Sequence, residues 1–174
     1  MPTRPCHAMG FLLGFWLALV ASLSLVPAAA HGAGAADPEL ARLEAELTAS
    51  VNGYRGQHRL IPLARRPDLD AVARAHSLDM ATRRFFSHHT PEGADWVARL
   101  GAGRVEGFAM AGENVGVTSK GQPNQEILNG WIHSPAHREN LLARPYNATG
   151  VGIARSADGS LYYTQLYLSF PVDR

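Results

Sequence analysis

Apolar residues recur at steps of three and four over several stretches of the chain. Leu40, Leu43, Leu47, Val51 and Tyr54 follow Asp37-Pro38 at this spacing, which predicts a helix that starts there. Gly53 and Gly56 each weaken it by about 1 kcal/mol relative to Ala, so it is expected to loosen towards His58. Leu60-Ile61-Pro62-Leu63 reads as a connector whose apolar side chains plug the core. A second helix is predicted from Pro67-Asp68 to around Arg84-Phe85-Phe86. Leu69, Val72, Ala73, His76 and Met80 form its inner face, with Arg74, Asp79 and Arg83 mostly outside. A short helix from Ala94 to Leu100 would turn Trp96, Val97 and Leu100 inward before Gly101-Ala102-Gly103 breaks it. Asn124 to Ile132 reads as a third longer helix, with Ile127, Leu128 and Trp131 inward.

Near the end of the chain the period changes to two. Ala148 to Ala154 places Val151 and Ile153 on one face, with Gly150 and Gly152 between. Asp158-Gly159 is a hairpin turn signal. Leu161 to Phe170 is a strand rich in Tyr, Thr and Leu, whose alternate positions Tyr162, Thr164, Leu166, Leu168 and Phe170 would cover one face. Helices first and an antiparallel hairpin last argue for an α+β class.

The opening segment follows a different rule. Arg4 supplies a positive start, Gly10 to Val26 is apolar apart from Ser22 and Ser24, and Pro27-Ala28-Ala29-Ala30 offers small residues for cleavage. Residues 1–30 therefore read as a secretory signal peptide, 31–38 as an Ala/Gly-rich linker and 39–172 as the folded domain. The apolar run is at the short limit for a bilayer span, which favours cleavage over a retained anchor. Cys6 would leave with the leader, so the domain must hold together by its core rather than by disulfides. Without Arg4 the 15 remaining basic residues equal the 15 acidic ones. That balance gives no reason to expect nucleic acid as a partner. A secreted or periplasmic monomer is expected, with no membrane span once the leader is gone.

Two segments stand out for chemistry. In Gly130-Trp131-Ile132-His133-Ser134-Pro135-Ala136-His137, Ser134 reads as an N-cap and Pro135 as the first helical residue. His137 then lies in the first turn, where the helix dipole disfavours imidazolium and leaves a ring able to ligate a metal or take a proton. In Gly112-Glu113-Asn114-Val115-Gly116, glycines bracket a carboxylate and an amide. Either close backbone approach holds Glu113 at a set angle, or the segment is a solvated turn. Ser87-His88-His89-Thr90-Pro91-Glu92-Gly93 is a loop. His76, on an apolar stripe, reads as a core histidine. His133 and His137 have ligand spacing, but Pro135 interrupts the helix and no Glu completes a protease-type motif. Asn147-Ala148-Thr149 has the glycosylation pattern.

These segments in order resemble the CAP superfamily (cysteine-rich secretory proteins, antigen 5 and pathogenesis-related proteins) in its short bacterial SCP-like form. The resemblance rests on Ala75-His76-Ser77-Leu78-Asp79-Met80-Ala81, Phe85-Phe86-Ser87-His88, Gly112-Glu113-Asn114-Val115, Trp131 to Leu142, and Gly150-Val151-Gly152-Ile153-Ala154. It implies an α-β-α sandwich, with a small antiparallel sheet of around three strands between helical layers. It also implies a groove lined by two histidines and two acids. The histidines match His88 and His137 and the first acid matches Glu113. The second acid has no counterpart, since Ile132, His133 and Ser134 occupy the matching region.

The groove expected on this basis comprises His88, Glu113, His137, Ser134 and Asn114. His88 and His137 are the expected ligands of zinc or another divalent cation, with Glu113 a ligand or an orienting group. Trp96, Phe108, Met110, Trp131 and Tyr146 are either groove walls or plain core. The reading favoured is a non-catalytic module that binds a small or lipid-like ligand or a partner protein. The alternative is a metal-assisted or Ser-His hydrolase, in which Ser134 or Ser87 would work with His137 or His88 and Glu113.

Overall fold

A computed structural model describes residues 37–171. The predicted signal peptide and most of the linker lie outside the described residues. Helix α1 runs from Pro38 to Gln57 and α2 from Pro67 to Arg83. A short α3 spans Trp96–Ala102, then α4 spans Pro123–His133 and α5 Pro135–Leu142. The strands are β1 (Ala64–Arg65), β2 (Met110–Thr118), β3 (Ala148–Arg155) and β4 (Leu161–Ser169). No helix among the described residues is long and apolar enough to cross a membrane.

The strands form one sheet in the order β1-β3-β4-β2. β2, β4 and β3 are antiparallel neighbours, with Glu113 opposite Leu166 and Val151 opposite Gln165. The two-residue β1 adds a parallel rung beside Ala148 and Thr149, so the sheet is mixed rather than purely antiparallel. Helices α1, α4 and α5 pack on one face through Leu43, Leu47, Val51, Ile127, Trp131 and Leu141, against Val151, Ile153, Tyr163 and Tyr167. Helices α2 and α3 cover the other through Leu69, Val72, Ala73 and Leu100, against Leu166 and Leu168. The result is the expected α-β-α sandwich.

Several local readings change. α1 keeps helical form through Gly53 and Gly56, because Asp37 caps its first turn (Oδ1 to Glu39 N, 2.9 Å) and tertiary packing outweighs two glycines. Of the connector, Leu63 is buried but Ile61 is 59% exposed. Val97 likewise faces out at 48%, since α3 docks by Leu100 and, in part, Trp96. β4 is buried on both faces, with Tyr163, Gln165 and Tyr167 as inaccessible as Thr164, Leu166 and Leu168. A central strand between two helical layers has no solvent face: its alternate positions Leu166 and Leu168 share one face, as expected, and Tyr163 and Tyr167 fill the other. Asn147, the candidate glycosylation residue, clamps Phe170 instead: its Nδ2 donates to the Phe170 carbonyl and its Oδ1 accepts from the Phe170 N–H.

Side chains complete both sheet edges. On β3, beyond β1, the Val151 N–H donates to Asp70 Oδ1 (2.9 Å) and the Ile153 N–H to Glu44 Oε1 (3.2 Å). Arg65 and Arg74 neutralise these buried carboxylates. On β2, the Val115 carbonyl accepts from Trp131 Nε1 (2.9 Å) and the Glu113 carbonyl from Asn140 Nδ2 (3.1 Å). Arg55, also buried, caps the end of α5. It donates to the carbonyls of Leu141, Ala143, Tyr146 and Ile61, where helix-end carbonyls lack partners of their own. Burial lowers its pKa from the usual arginine value.

α2 lies directly on β3 because Gly150 and Gly152 leave room for its backbone. A Cβ on Gly152 would stand 2.0 Å from Arg74 N and 2.3 Å from the Ala73 carbonyl carbon. Gly152→Ala is therefore expected to push α2 off the sheet and cost about 3 kcal/mol or more. Gly53→Ala, on α1 with nothing within 4 Å, should instead stabilise by about 0.5–1 kcal/mol. Urea unfolding of the two variants checks both signs.

Candidate functional site

The site lies where the edge strand β2, the loop after α2 and the start of α5 meet. Glu113 is on β2, and its side chain is fully buried. Its Oε1 is 2.9 Å from His88 Nδ1, and its Oε2 accepts from Arg99 Nη2 on α3. A carboxylate beside a ring nitrogen fixes the tautomer of the neutral ring, with the hydrogen on Nδ1 and the lone pair on Nε2. Arg99 Nη1 also donates to the carbonyls of His88 (2.9 Å) and Ala94 (3.2 Å), which binds the histidine loop to α3. From beneath, His76 Nε2 donates to the Ser87 carbonyl at 2.9 Å. His76 thus has the structural role expected of a core histidine, and it steadies the residue next to His88.

His137 is the facing ring. Its centroid is 6.3 Å from that of His88, with the planes 48° apart, and Trp96 stands edge-on to His88 at 5.9 Å. The His137 pKa is lowered, first by burial and then by the charge of a protonated His88. The ring is therefore neutral at pH 7, as the sequence suggests, but burial rather than the helix dipole is the leading cause.

Asn114 holds the backbone that carries His137. Its Nδ2 donates to the His137 carbonyl (3.0 Å), and its Oδ1 accepts from Asn140 Nδ2 (3.0 Å). The Tyr167 hydroxyl is 3.2 Å from Asn114 Nδ2 and donates to Gln165 Oε1 at 2.8 Å. Gln165 Nε2 passes the chain to Thr149 Oγ1, which donates to the Leu166 carbonyl. The glycines beside Glu113 serve close approach, not positive φ: a Cβ on Gly112 would stand 2.6 Å from both Asn140 Oδ1 and the Tyr146 hydroxyl.

Other expected members fall away. Ser134 occupies the N-cap position of α5, but its side chain makes no capping bond. Among the described residues, neither its hydroxyl nor that of Ser87 is hydrogen-bonded to a histidine ring; Ser87 Oγ instead accepts from the His89 N–H at 3.0 Å. His133 is exposed and turned back onto the Asn129 carbonyl (2.8 Å), away from His137. Trp131 and Tyr146 are core residues. Arg99 and Asn140 escaped the sequence reading as site residues. The available signal for Arg99 was its place on the inward stripe of a short helix, three residues after Trp96, where an arginine needs a buried carboxylate.

Residues 48–167 match the model of the cysteine-rich secretory protein family, CAP. The chain belongs to that family. It is 33% identical over 125 residues to the uncharacterized membrane protein YlbC of Bacillus subtilis, covering 72% of this chain and 34% of that protein. It is 30% identical over 123 residues to the uncharacterized protein YkwD of the same organism, covering 70% and 46%. The chain thus spans between a third and a half of the curated relatives it matches. Among solved structures, an extracellular SCP-domain protein from Bacillus anthracis superposes with a TM-score of 0.65 at 31% identity, covering 78% of this chain and 45% of that one. An outer surface protein of Borrelia burgdorferi has a TM-score of 0.67 at 18% identity, covering 75% and 94%, and shares the fold.

Two outcomes test the site's electrostatics. Glu113→Gln would leave the Arg99 guanidinium buried without its counter-charge and is expected to destabilise by about 3 kcal/mol, read as a lower urea midpoint. The pKa values of His76 and His137 are both lowered, in each case chiefly by burial. Below about pH 6.5 the unfolded chain takes up protons that the folded rings refuse. Stability should therefore be full above that pH and fall as pH drops below it. Urea titrations across this range, with His137→Ala showing a shallower acid slope, check the sign.

Proposed function

We propose that this chain is an exported, non-catalytic binding domain whose groove offers His88 and His137 as an imidazole pair. The pair would share zinc or a similar divalent ion, and a small or lipid-like ligand or a donor from a partner protein would complete the coordination. The observation that carries this reading is the Glu113 bridge. By accepting from His88 Nδ1 at 2.9 Å while tied to Arg99, the carboxylate occupies that nitrogen and leaves Nε2 as the ligating atom near the His137 ring. Two imidazoles on one zinc, at Zn–N of about 2.0–2.1 Å, place their centroids about 5–6 Å apart. The 6.3 Å separation lies just outside that range, within reach of a small rotation.

The donor set also limits the site. Among the described residues no group of three or more His, Cys, Asp or Glu is placed to hold a metal. Glu113 is taken by Arg99 and His88, so it orients rather than ligates. Two protein ligands imply weak, exchangeable binding, with positions left open. A bound ion would supply Lewis acidity and an anchor for an oxygen or nitrogen donor of the ligand. An exported location is supported by the extracellular relative in Bacillus anthracis and by the signal-like opening segment.

Zinc titration by calorimetry is the test. One zinc per chain is expected, lost in the double variant His88→Ala/His137→Ala. Glu113→Gln should weaken affinity by about 10–100-fold through loss of the orienting carboxylate. Zinc heats unchanged in the double variant, or absent from the wild type, would remove the metal from this reading.

A further inference from the structure

A separate cleft lies between α2 and α3, lined by neither His88 nor His137. It offers about 600 Å³, within the range of small-molecule sites. Ala71, Val72 and Ala75 of α2 form one wall, and Ala102 and Gly103, at the end of α3, form the other. Ala71 and Ala75 are exposed, so a ligand can reach this apolar wall. Gly103 lies against Val72, where a Cβ would stand 2.4 Å from Val72 Cγ2, so the end of α3 sits over the first half of α2. Asp79 lines the cleft about two turns further along α2.

The charges around this cleft do not balance. Arg99 lines it, but its charge is met by the buried Glu113. Asp68 lines it too, and Arg66 meets it through two hydrogen bonds, at 3.0 and 2.6 Å. His76, also in the lining, has its pKa lowered by burial and stays neutral at pH 7. Asp79 is different. Its neighbour Arg83 gives two bonds to Glu92, at 3.0 and 2.5 Å, and reaches Asp79 only at 3.4 Å. The same guanidinium holds the Glu92 carboxyl down at about 2. Arg84, the next cation, acts on Asp158. One cation therefore serves two carboxylates, and a net negative charge remains at the Asp79 end. The Asp79 side chain is 28% exposed, so that charge is within reach of a ligand.

We propose that the α2–α3 cleft binds a small amphiphilic amine, with its apolar body between the two walls and its ammonium on the Asp79 carboxylate. Ala75 and Asp79 are four residues apart on one face of α2, a rise of about 6 Å. A ring seated against Ala71, Val72 and Ala75 thus needs a linker of about four carbons to bring an ammonium to Asp79. The apolar body gains by leaving water, and the ammonium adds a charge-assisted hydrogen bond. A neutral amphiphile gains only the first of these, and an anionic one is repelled. The site is distinct from the His88–His137 groove and does not depend on a metal there.

The experiment is a titration of the full chain with 4-phenylbutylamine, followed by amide chemical shifts. Beside it run 4-phenylbutanol and 4-phenylbutyrate, which replace the ammonium with a hydroxyl and a carboxylate. The amine is expected to give saturable shifts centred on Val72, Ala75, Asp79 and Gly103. It should bind about fivefold more tightly than the alcohol, the upper end for a partly exposed ion pair, and the carboxylate should bind most weakly. Asp79→Asn should lower the amine to the affinity of the alcohol and leave the alcohol unchanged. Ala75→Trp, at an exposed position that lines the cleft, should fill the space and abolish the shifts, with circular dichroism and urea midpoint as in the wild type. The double variant His88→Ala/His137→Ala should bind the amine as the wild type does. Equal affinity for amine and alcohol, an amine advantage that survives Asp79→Asn, shifts centred elsewhere, binding that survives Ala75→Trp, binding lost in the histidine double variant, or no amine binding at all would each overturn the proposal.

Discussion

The structure depends on one buried anion. A carboxylate with no solvent access is tolerated only when charge and hydrogen bonds replace the water it has lost. Glu113 meets that condition by drawing a guanidinium from α3 and an imidazole from the loop after α2. Because Arg99 also grips the carbonyls of His88 and Ala94, neutralising the anion fixes where the short helix docks and how the histidine loop is folded. The geometry of the groove is thus a by-product of solving an electrostatic problem in the core. Gly112, beside Glu113, lets α5 and Tyr146 come close to the strand, and Gly116 does the same for α4.

A second constraint runs crosswise. The seam of Asn114, Asn140, Tyr167, Gln165 and Thr149 passes through a region otherwise filled with Leu, Val and Tyr. Such a network specifies one arrangement only if every member is satisfied. Here each link has a named partner, and one end of the seam is the carbonyl of His137. The central strand and the groove are therefore mechanically connected: a shift of Tyr167 would be felt at the backbone that carries His137. Burial raises the Tyr167 pKa well above the usual phenol value, so it serves this chain as a neutral donor.

The helices were legible because a 3.6-residue apolar period survives in α1, α2 and α4, and starts such as Asp37-Pro38 and Pro67 fall where the chain begins to coil. β2 was not. Met110–Thr118 has few β-branched residues and two glycines, and its polar members Glu113 and Asn114 point into the protein. Neither alternation nor propensity marks such a strand. β4 was legible as a strand and its alternate positions Leu166 and Leu168 do share a face, but Thr164 and Gln165 are buried too, so polarity does not mark an outer face. His88, Glu113 and His137 could be named from their motifs, and the fold brings them together. Their partner Arg99 could not, since the need for a guanidinium arises only once the carboxylate is known to be buried. Ser134 illustrates the reverse case, where position and residue type fit a cap that the side chain does not make.

The masked sheet margins bear on how this molecule can meet others. A sandwich with bare strand margins can recruit a guest peptide, or a second copy of itself, through main-chain pairing. Here the outward carbonyls of Glu113 and Val115 and the outward N–H groups of Val151 and Ile153 are already engaged by Asn140, Trp131, Asp70 and Glu44. A guest strand would have to strip an indole, an amide and two carboxylates from their places to pair fully along these residues. Recognition at these positions is therefore left to side chains and clefts, and the same four contacts guard the domain against fibrillar self-association.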